Sequence, residues 1–353
     1  MSETCYGLKD AWKAAFRVGA AVGEKILKTE AADKIICRHF SSLTPENAMK
    51  FGEIHPEENR WHWTEADEIA NYARRLGIPL RGHTILWHNQ TPPWLFIANG
   101  EASGKTGEPS GEPASKTDLF RRLENHIAGL TGRYNDVVYA WDVLNEVIDV
   151  ETGSDDGFRL SKWYQIGGRE IYDFAFTAMQ AASPRARLFY NDYNIESGKK
   201  MEATIRFLSE LLDAGVPVQG VGIQGHWYYN YPDAETLCAA IEAYSALGLD
   251  IEFTEVDISV YEFNEGADTH KFFTAMPGDR IRQQAERYKE IFRIAAHYPA
   301  VKNITTWGIA DNHTWLDNFP VPGRKNWPLL FDMEYRHKHV VPALVETGLS
   351  LND

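Results

Sequence analysis

The feature that most constrains this chain is an eightfold alternation of short apolar runs with helical patterns. β-Branched, apolar or aromatic runs recur at residues 16–22, 39–43, 79–87, 137–144, 187–191, 218–224, 249–254 and 303–307. Parallel strands need a long crossover between them, and a helix is the usual one. Eight such units are the number that closes a (β/α)₈ barrel. The expected fold is therefore α/β, a single (β/α)₈ TIM barrel spanning residues 1–353. An open doubly wound sheet is the runner-up. It would usually begin with a glycine-rich phosphate turn, and neither GxGxxG nor GxxxxGK[ST] occurs.

The intervening segments carry helix signals. Thr64-Glu-Ala-Asp67 reads as an N-terminal cap, after which Ile69, Tyr72, Ala73 and Leu76 fall at helical spacing. Leu119, Leu123, His126, Ile127 and Leu130 repeat that spacing, as do Ile205, Leu208, Leu211 and Leu212. Gly77, Gly215 and Gly248 stand where a left-handed residue ends a helix. Three longer loops are expected at 99–115, 262–278 and 311–329, following the third, seventh and eighth strands. All three would lie on the C-terminal face, where barrel enzymes build their sites.

Charge and cysteine content narrow the partners. Lys and Arg total 36 against 50 Asp and Glu, a formal net charge of −14. Nucleic acid and anionic membranes select for basic patches, so neither is expected, and a neutral substrate such as a sugar is compatible. Cys5, Cys37 and Cys238 form no CxxC pair and no metal-ligand spacing. Free thiols and no bound metal or other cofactor are expected. No run approaches the ~18 apolar residues of a membrane span. The start, Met1-Ser-Glu-Thr-Cys-Tyr-Gly7, has no basic stretch leading into an apolar one. A cytoplasmic location is the expectation, with secretion the alternative if a leader was removed.

The chemistry-bearing residues gather at the strand ends. The second strand is followed by Glu46, Asn47 and Lys50. The third carries His83 and ends at Trp87-His88-Asn89-Gln90. The fourth ends at Asn145-Glu146, the fifth at Asn191-Asp-Tyr193, and the sixth at Gln224-Gly-His226. The seventh ends at Glu255-Val-Asp257, and the eighth at Trp307, with Trp315 beyond it. Taken singly, a strand-end Glu is usually a solvated carboxylate and a Trp usually a core residue. Their joint placement at seven strand ends points to one pocket. Cleaving a glycosidic bond needs one carboxyl to donate a proton and another, ionised, to attack carbon or activate water. Glu146 and Glu255 are the candidate pair. Indole faces suit the C–H faces of sugars, and Asn, Gln, His and Lys suit their hydroxyls.

At these residues the chain resembles glycoside hydrolase family 10, the (β/α)₈ retaining xylanases, from about Lys9 to Leu344. The motifs that carry the resemblance are Glu46-Asn47-Ala-Met-Lys50, His83-Thr-Ile-Leu-Trp87-His88-Asn-Gln90, Trp141-Asp-Val-Leu-Asn145-Glu146, Gln224-Gly-His226, Thr254-Glu255-Val-Asp257-Ile and Trp307-Gly-Ile-Ala-Asp311. The resemblance implies an endo-1,4-β-xylanase with Glu146 as general acid/base and Glu255 as nucleophile. It implies that His226 and Asp257 hold the nucleophile ionised and oriented, and that Asn145 meets the sugar 2-hydroxyl. Glu46, Asn47, Lys50, His83, Trp87 and Gln90 match glycone-side subsites. Gln224 matches a polar residue between the glutamates, and Trp307 and Trp315 match aromatic walls. Tyr193 is a further substrate-binding candidate.

A retaining mechanism requires the two carboxyl groups to lie about 5–5.5 Å apart. Trp307, Trp315 and Gln90 are candidate crowders against hexose polymers. The partner expected is xylan or xylo-oligosaccharide, with a monomer favoured. Three rivals stand beside this reading: a β-1,4-glucanase or mixed cellulase/xylanase, a catalytically inactive carbohydrate-binding barrel, and a phosphate-dependent barrel enzyme.

Overall fold

The computed structural model describes residues 6–98, 111–263 and 271–351. Nine strands are described: β1 (Arg17–Val22), β2 (Ser42–Pro45), β3 (Leu80–Gly82), β4 (Val138–Asn145), β5 (Arg187–Asp192), β6 (Gly220–Ile223), β7 (His226–Tyr228), β8 (Asp250–Ser259) and β9 (Val301–Thr306). Between and after them run the long helices Glu30–His39, Thr64–Leu76, Lys116–Tyr134, Glu170–Ala182, Gly198–Asp213, Ala234–Ala246, Gly278–His297 and Val340–Ser350. The chain groups into two compact units.

The first unit holds the described residues of Met1–Thr44, Ile223–Ala246 and Asp250–Asp353. In it β1 pairs in parallel with β9, β9 with β8, and β8 with β7. Packing outside these strands is aromatic: Trp12 stacks on Phe16 at 5.3 Å, and Phe292 meets both rings edge-on. Polar side chains are also buried among these strands. Asn303 Nδ2 donates to Glu252 Oε2 at 3.3 Å and to Thr305 Oγ1 at 3.0 Å, so these buried groups satisfy one another.

The second unit holds Pro45–Gly222 and Leu247–Leu249, outside the undescribed segment 99–110. Here β3 pairs in parallel with β4, and β4 with β5. The three-residue β3 fits closely against its neighbour. A Cβ on Gly82 would come within 2.1 Å of the Trp141 ring, so only glycine lets that indole cover the strand. Beside it Arg81 and Asp142 are both buried and paired, with Arg81 Nε 3.2 Å from Asp142 Oδ2 and a second contact between Nη2 and Oδ1. The Arg81 guanidinium lies 4.3 Å from the centre of the Phe189 ring. Burial alone would raise the Asp142 carboxyl, but Arg81 and His83 outweigh it and hold it below the usual range.

Several expected boundaries move. The second strand runs from Ser42 to Pro45, because the preceding helix extends to His39. The third strand stops at Gly82 rather than continuing to residue 87; beyond it Ile85 N and Leu86 N still bond to the carbonyls of Asp142 and Val143. The expected seventh strand, observed as β8, continues to Ser259, which puts Glu255 and Asp257 inside a strand. The short β7 was not anticipated. The helix over Thr64–Leu76 has Trp63 at its N-cap and no side-chain cap bond, so Thr64 is its first residue and not its cap. Gly77, Gly215 and Gly248 do take positive φ, at 65°, 73° and 76°. The expected loop 99–115 falls outside the described residues over 99–110, and the loop 262–278 does so over 264–270.

Candidate active site

In the first unit the site is organised around one imidazole. Parallel pairing of β7 with β8 sets His226 opposite Asp257. His226 Nδ1 lies 2.9 Å from Asp257 Oδ1, and Nε2 lies 3.2 Å from Glu255 Oε2. Both ring nitrogens face carboxylates, so both contacts are hydrogen bonds only if both nitrogens carry hydrogen, which is the cation. Burial works against that charge. Asp257 and Glu255 more than offset it, and the imidazole is pushed up to about 10. The second oxygen of Asp257 accepts the Trp315 indole N–H at 2.8 Å. The Trp315 ring stands edge-on to His226 at 4.8 Å, and Trp307 does so at 6.2 Å. The Glu255 backbone N–H donates to the Gln224 carbonyl at 2.7 Å, which ties the carboxylate-bearing strand to the end of β6. A cation beside Glu255 favours its ionised form, as a nucleophilic carboxylate requires.

In the second unit Glu146 directly follows β4. It has φ of 56°, a left-handed conformation that few non-glycine residues adopt and that marks a constrained position. Its backbone N–H donates to the Asn191 carbonyl at 2.9 Å. Asn191 Nδ2 donates to Asn145 Oδ1 at 2.7 Å, which fixes the Asn145 amide so that its Nδ2 faces Glu146 Oε1 at 3.2 Å. His88 Nδ1 is 3.9 Å from Glu146 Oε2, too far for a hydrogen bond. Burial drives the His88 imidazole down to about 4, so it is neutral near pH 7.

The glycone-side candidates of this unit also group. Lys50 Nζ donates to Asn47 Oδ1 at 3.0 Å and sits 4.8 Å from the Trp87 ring centre. Gln90 Nε2 approaches the same Asn47 oxygen at 3.4 Å. Glu46 is half-buried next to Asn47. His83 is buried, with Nδ1 2.9 Å from Asp142 Oδ2, so the Arg81–Asp142 pair orients it. Tyr193 carries Lys200 over its ring face at 3.4 Å. Lys200 Nζ in turn bonds the buried Asp192 at 2.6 Å. Burial lifts the Asp192 carboxyl to about 6 even against that lysine. Among the described residues no group of three or more His, Cys, Asp or Glu side chains is placed to hold a metal.

Three participants escaped the sequence reading. Asp142 and Arg81 sit within an apolar run and give no pattern of their own. Arg159 lies in the loop after β4, where a lone arginine reads as a solvated charge. Its guanidinium instead bonds the Glu146 carbonyl, Asp149 and the Tyr193 hydroxyl.

Comparison with known proteins agrees over nearly the whole chain. The model of glycosyl hydrolase family 10 matches residues 7–347. Endo-1,4-beta-xylanase A of Caldicellulosiruptor saccharolyticus is 44% identical, covering 95% of this chain and 94% of its own. Endo-1,4-beta-xylanase B of Paenibacillus barcinonensis is 41% identical, covering 96% and 97%. A solved mutant structure in complex with xylotriose is 40% identical, superposes with a TM-score of 0.87, and covers 96% of this chain and 99% of its own. The fold is the (β/α)₈ barrel that the alternation of strands and helices requires.

Proposed function

The chain belongs to glycosyl hydrolase family 10, a retaining family, and on that premise we propose that it is an endo-1,4-β-xylanase acting on xylan and xylo-oligosaccharides. Glu255 attacks the anomeric carbon while Glu146 protonates the leaving oxygen. A glycosyl-enzyme forms, and Glu146, now a base, activates the water that releases it.

The observation that carries the reading is the imidazole held between Glu255 and Asp257. Asp257 keeps His226 charged, and the charged ring keeps a hydrogen bond on Glu255. Trp315 occupies the other Asp257 oxygen, so the acid cannot swing away without leaving an indole N–H unmatched. In the remaining positions Lys50, Asn47 and Gln90 offer donors and acceptors for sugar hydroxyls, and Trp87, Trp307 and Trp315 offer ring faces. Asn145, its amide fixed by Asn191, is the donor for the 2-hydroxyl. Glu46, His83, Tyr193 and Gln224 complete the proposed contacts.

The test is sugar release from xylan and from purified xylo-oligosaccharides by the wild type and by Glu255→Ala. Internal cleavage by the wild type and none by a folded variant supports the proposal. Release from a soluble cellulose derivative but not from xylan would move the assignment to a β-1,4-glucanase.

A further inference from the structure

We propose that Arg159 is the positioning residue of the acid/base, holding Glu146 in its left-handed backbone conformation by gripping the carbonyl of that residue. The inference rests on the role proposed above for Glu146.

The loop after β4 is shaped to deliver this side chain. Asp149 N bonds the Gly157 carbonyl at 2.8 Å, Ile148 and Phe158 form an antiparallel bridge, and Arg159 N bonds the Val147 carbonyl at 2.8 Å. The chain thus leaves Glu146, turns back over about a dozen residues, and returns alongside it. The guanidinium then uses three separate nitrogens. Nε donates to the Glu146 carbonyl at 2.9 Å, Nη1 to Asp149 Oδ2 at 3.2 Å, and Nη2 to the Tyr193 hydroxyl at 3.1 Å. Two of the three acceptors are uncharged, so charge neutralisation alone does not explain the arrangement. Planar, fixed-fork donors are what arginine supplies and lysine does not.

The backbone of Glu146 explains the need. A non-glycine residue at φ 56° stays there only when its surroundings over-determine it. Its N–H is tied to Asn191 on the neighbouring strand and its C=O to Arg159. Removing the second tie leaves residue 146 free to relax toward the common region, which swings its carboxyl away from the leaving oxygen. Asp149 anchors the arginine, and Tyr193, itself covered by Lys200, is held by the same guanidinium. One side chain therefore sets both the acid/base and a proposed substrate contact.

The experiment compares leaving groups. Arg159→Lys and Arg159→Gln are assayed on xylan, on phenyl β-xylobioside, which needs a proton on departure, and on 2,4-dinitrophenyl β-xylobioside, which does not. Misplacing a catalytic group by about an ångström costs on the order of 100-fold. The variants should thus lose about 10- to 100-fold in kcat/KM on the first two substrates and little on the third. Added azide should accelerate their turnover of the dinitrophenyl substrate by replacing the base-assisted water. Asp149→Asn, which weakens one anchor of the same guanidinium, should show the same ordering at smaller size, with the thermal midpoint recorded for each variant. Equal losses on all three substrates, or none on any, would overturn the inference while leaving the xylanase reading intact. A wild type inactive on every xyloside would overturn that reading, and this inference with it.

Discussion

Replacing Asp257 by Asn is the perturbation whose consequences the geometry states most fully. His226 is held at about 10 against an ordinary value of 6.5. At 1.36 kcal/mol per unit, that rise corresponds to on the order of 5 kcal/mol of interaction between the folded protein and the imidazolium. Asp257 is the larger of the two contributors that raise it. An asparagine presents one oxygen and one NH₂ where the carboxylate accepted both His226 Nδ1–H and the Trp315 indole N–H. Either orientation leaves a donor facing a donor. Breaking a buried charged pair from one side costs about 3–5 kcal/mol, so a loss of about 3 kcal/mol near pH 7 is expected.

The sign with pH follows from the raised pKa. Stability contributed by His226 is fully present below about 6.5 and is lost as pH rises through about 10. Urea denaturation of the wild type and Asp257→Asn at pH 7 and at pH 9.5 should therefore show a gap that shrinks markedly at the higher pH. At pH 7 the variant should also lose most of its kcat/KM, because the cation beside Glu255 is weakened. A gap of the same size at both values, or one below about 1 kcal/mol at pH 7, would show that Asp257 does not hold the imidazole charged.

Other expectations concern the buried supports and the ring walls. Asp142→Asn removes the carboxylate that neutralises Arg81, leaves that buried guanidinium without a counter-charge, and should cost about 3–5 kcal/mol by chemical denaturation at neutral pH. The Asp142 carboxyl is held low, so in the wild type this contribution persists above the ordinary carboxylate range and fades only as pH falls through the depressed value. Gly82→Ala drives a methyl into the Trp141 ring and should destabilise by about 1–3 kcal/mol in thermal melts, while Gly215→Ala, with open space around it, should show only the smaller cost of a left-handed alanine. Trp315→Ala should change the ratio of activity on xylan to activity on soluble cellulose. An unchanged ratio would remove Trp315 from the residues that select the sugar.

The alternation of strands and helices was legible because each parallel strand, covered on both sides, needs a continuous apolar run. The helices over Thr64–Leu76, Lys116–Tyr134 and Gly198–Asp213 showed through their apolar spacing, and Gly77, Gly215 and Gly248 marked where helices close. Glu146 was legible as the residue that ends such a run. The sequence marks Glu255 and Asp257, but its apolar pattern ends their strand at 254. Acidic residues in an apolar segment argue for an end, and the local pattern cannot show the bond from His226 that lets them stay inside. The shortness of β3 was hidden for a related reason: Ile85 and Leu86 look like strand residues and are buried, yet only Leu80–Gly82 keeps regular pairing. Arg81 and Asp142 lie 61 positions apart, and no local pattern links them. Arg159 was invisible because its value lies in a loop that returns to the residue it left.

Covalent trapping tests most directly whether Glu255 is the nucleophile. The wild type is incubated with a 2-deoxy-2-fluoro β-xylobioside bearing a good leaving group, digested, and mapped by mass spectrometry. One added fluoroxylobiosyl group per chain is expected, carried by the peptide that contains Glu255 and localised to that residue. A label on any other side chain, or an active enzyme that accumulates none and releases product of inverted configuration, would contradict it.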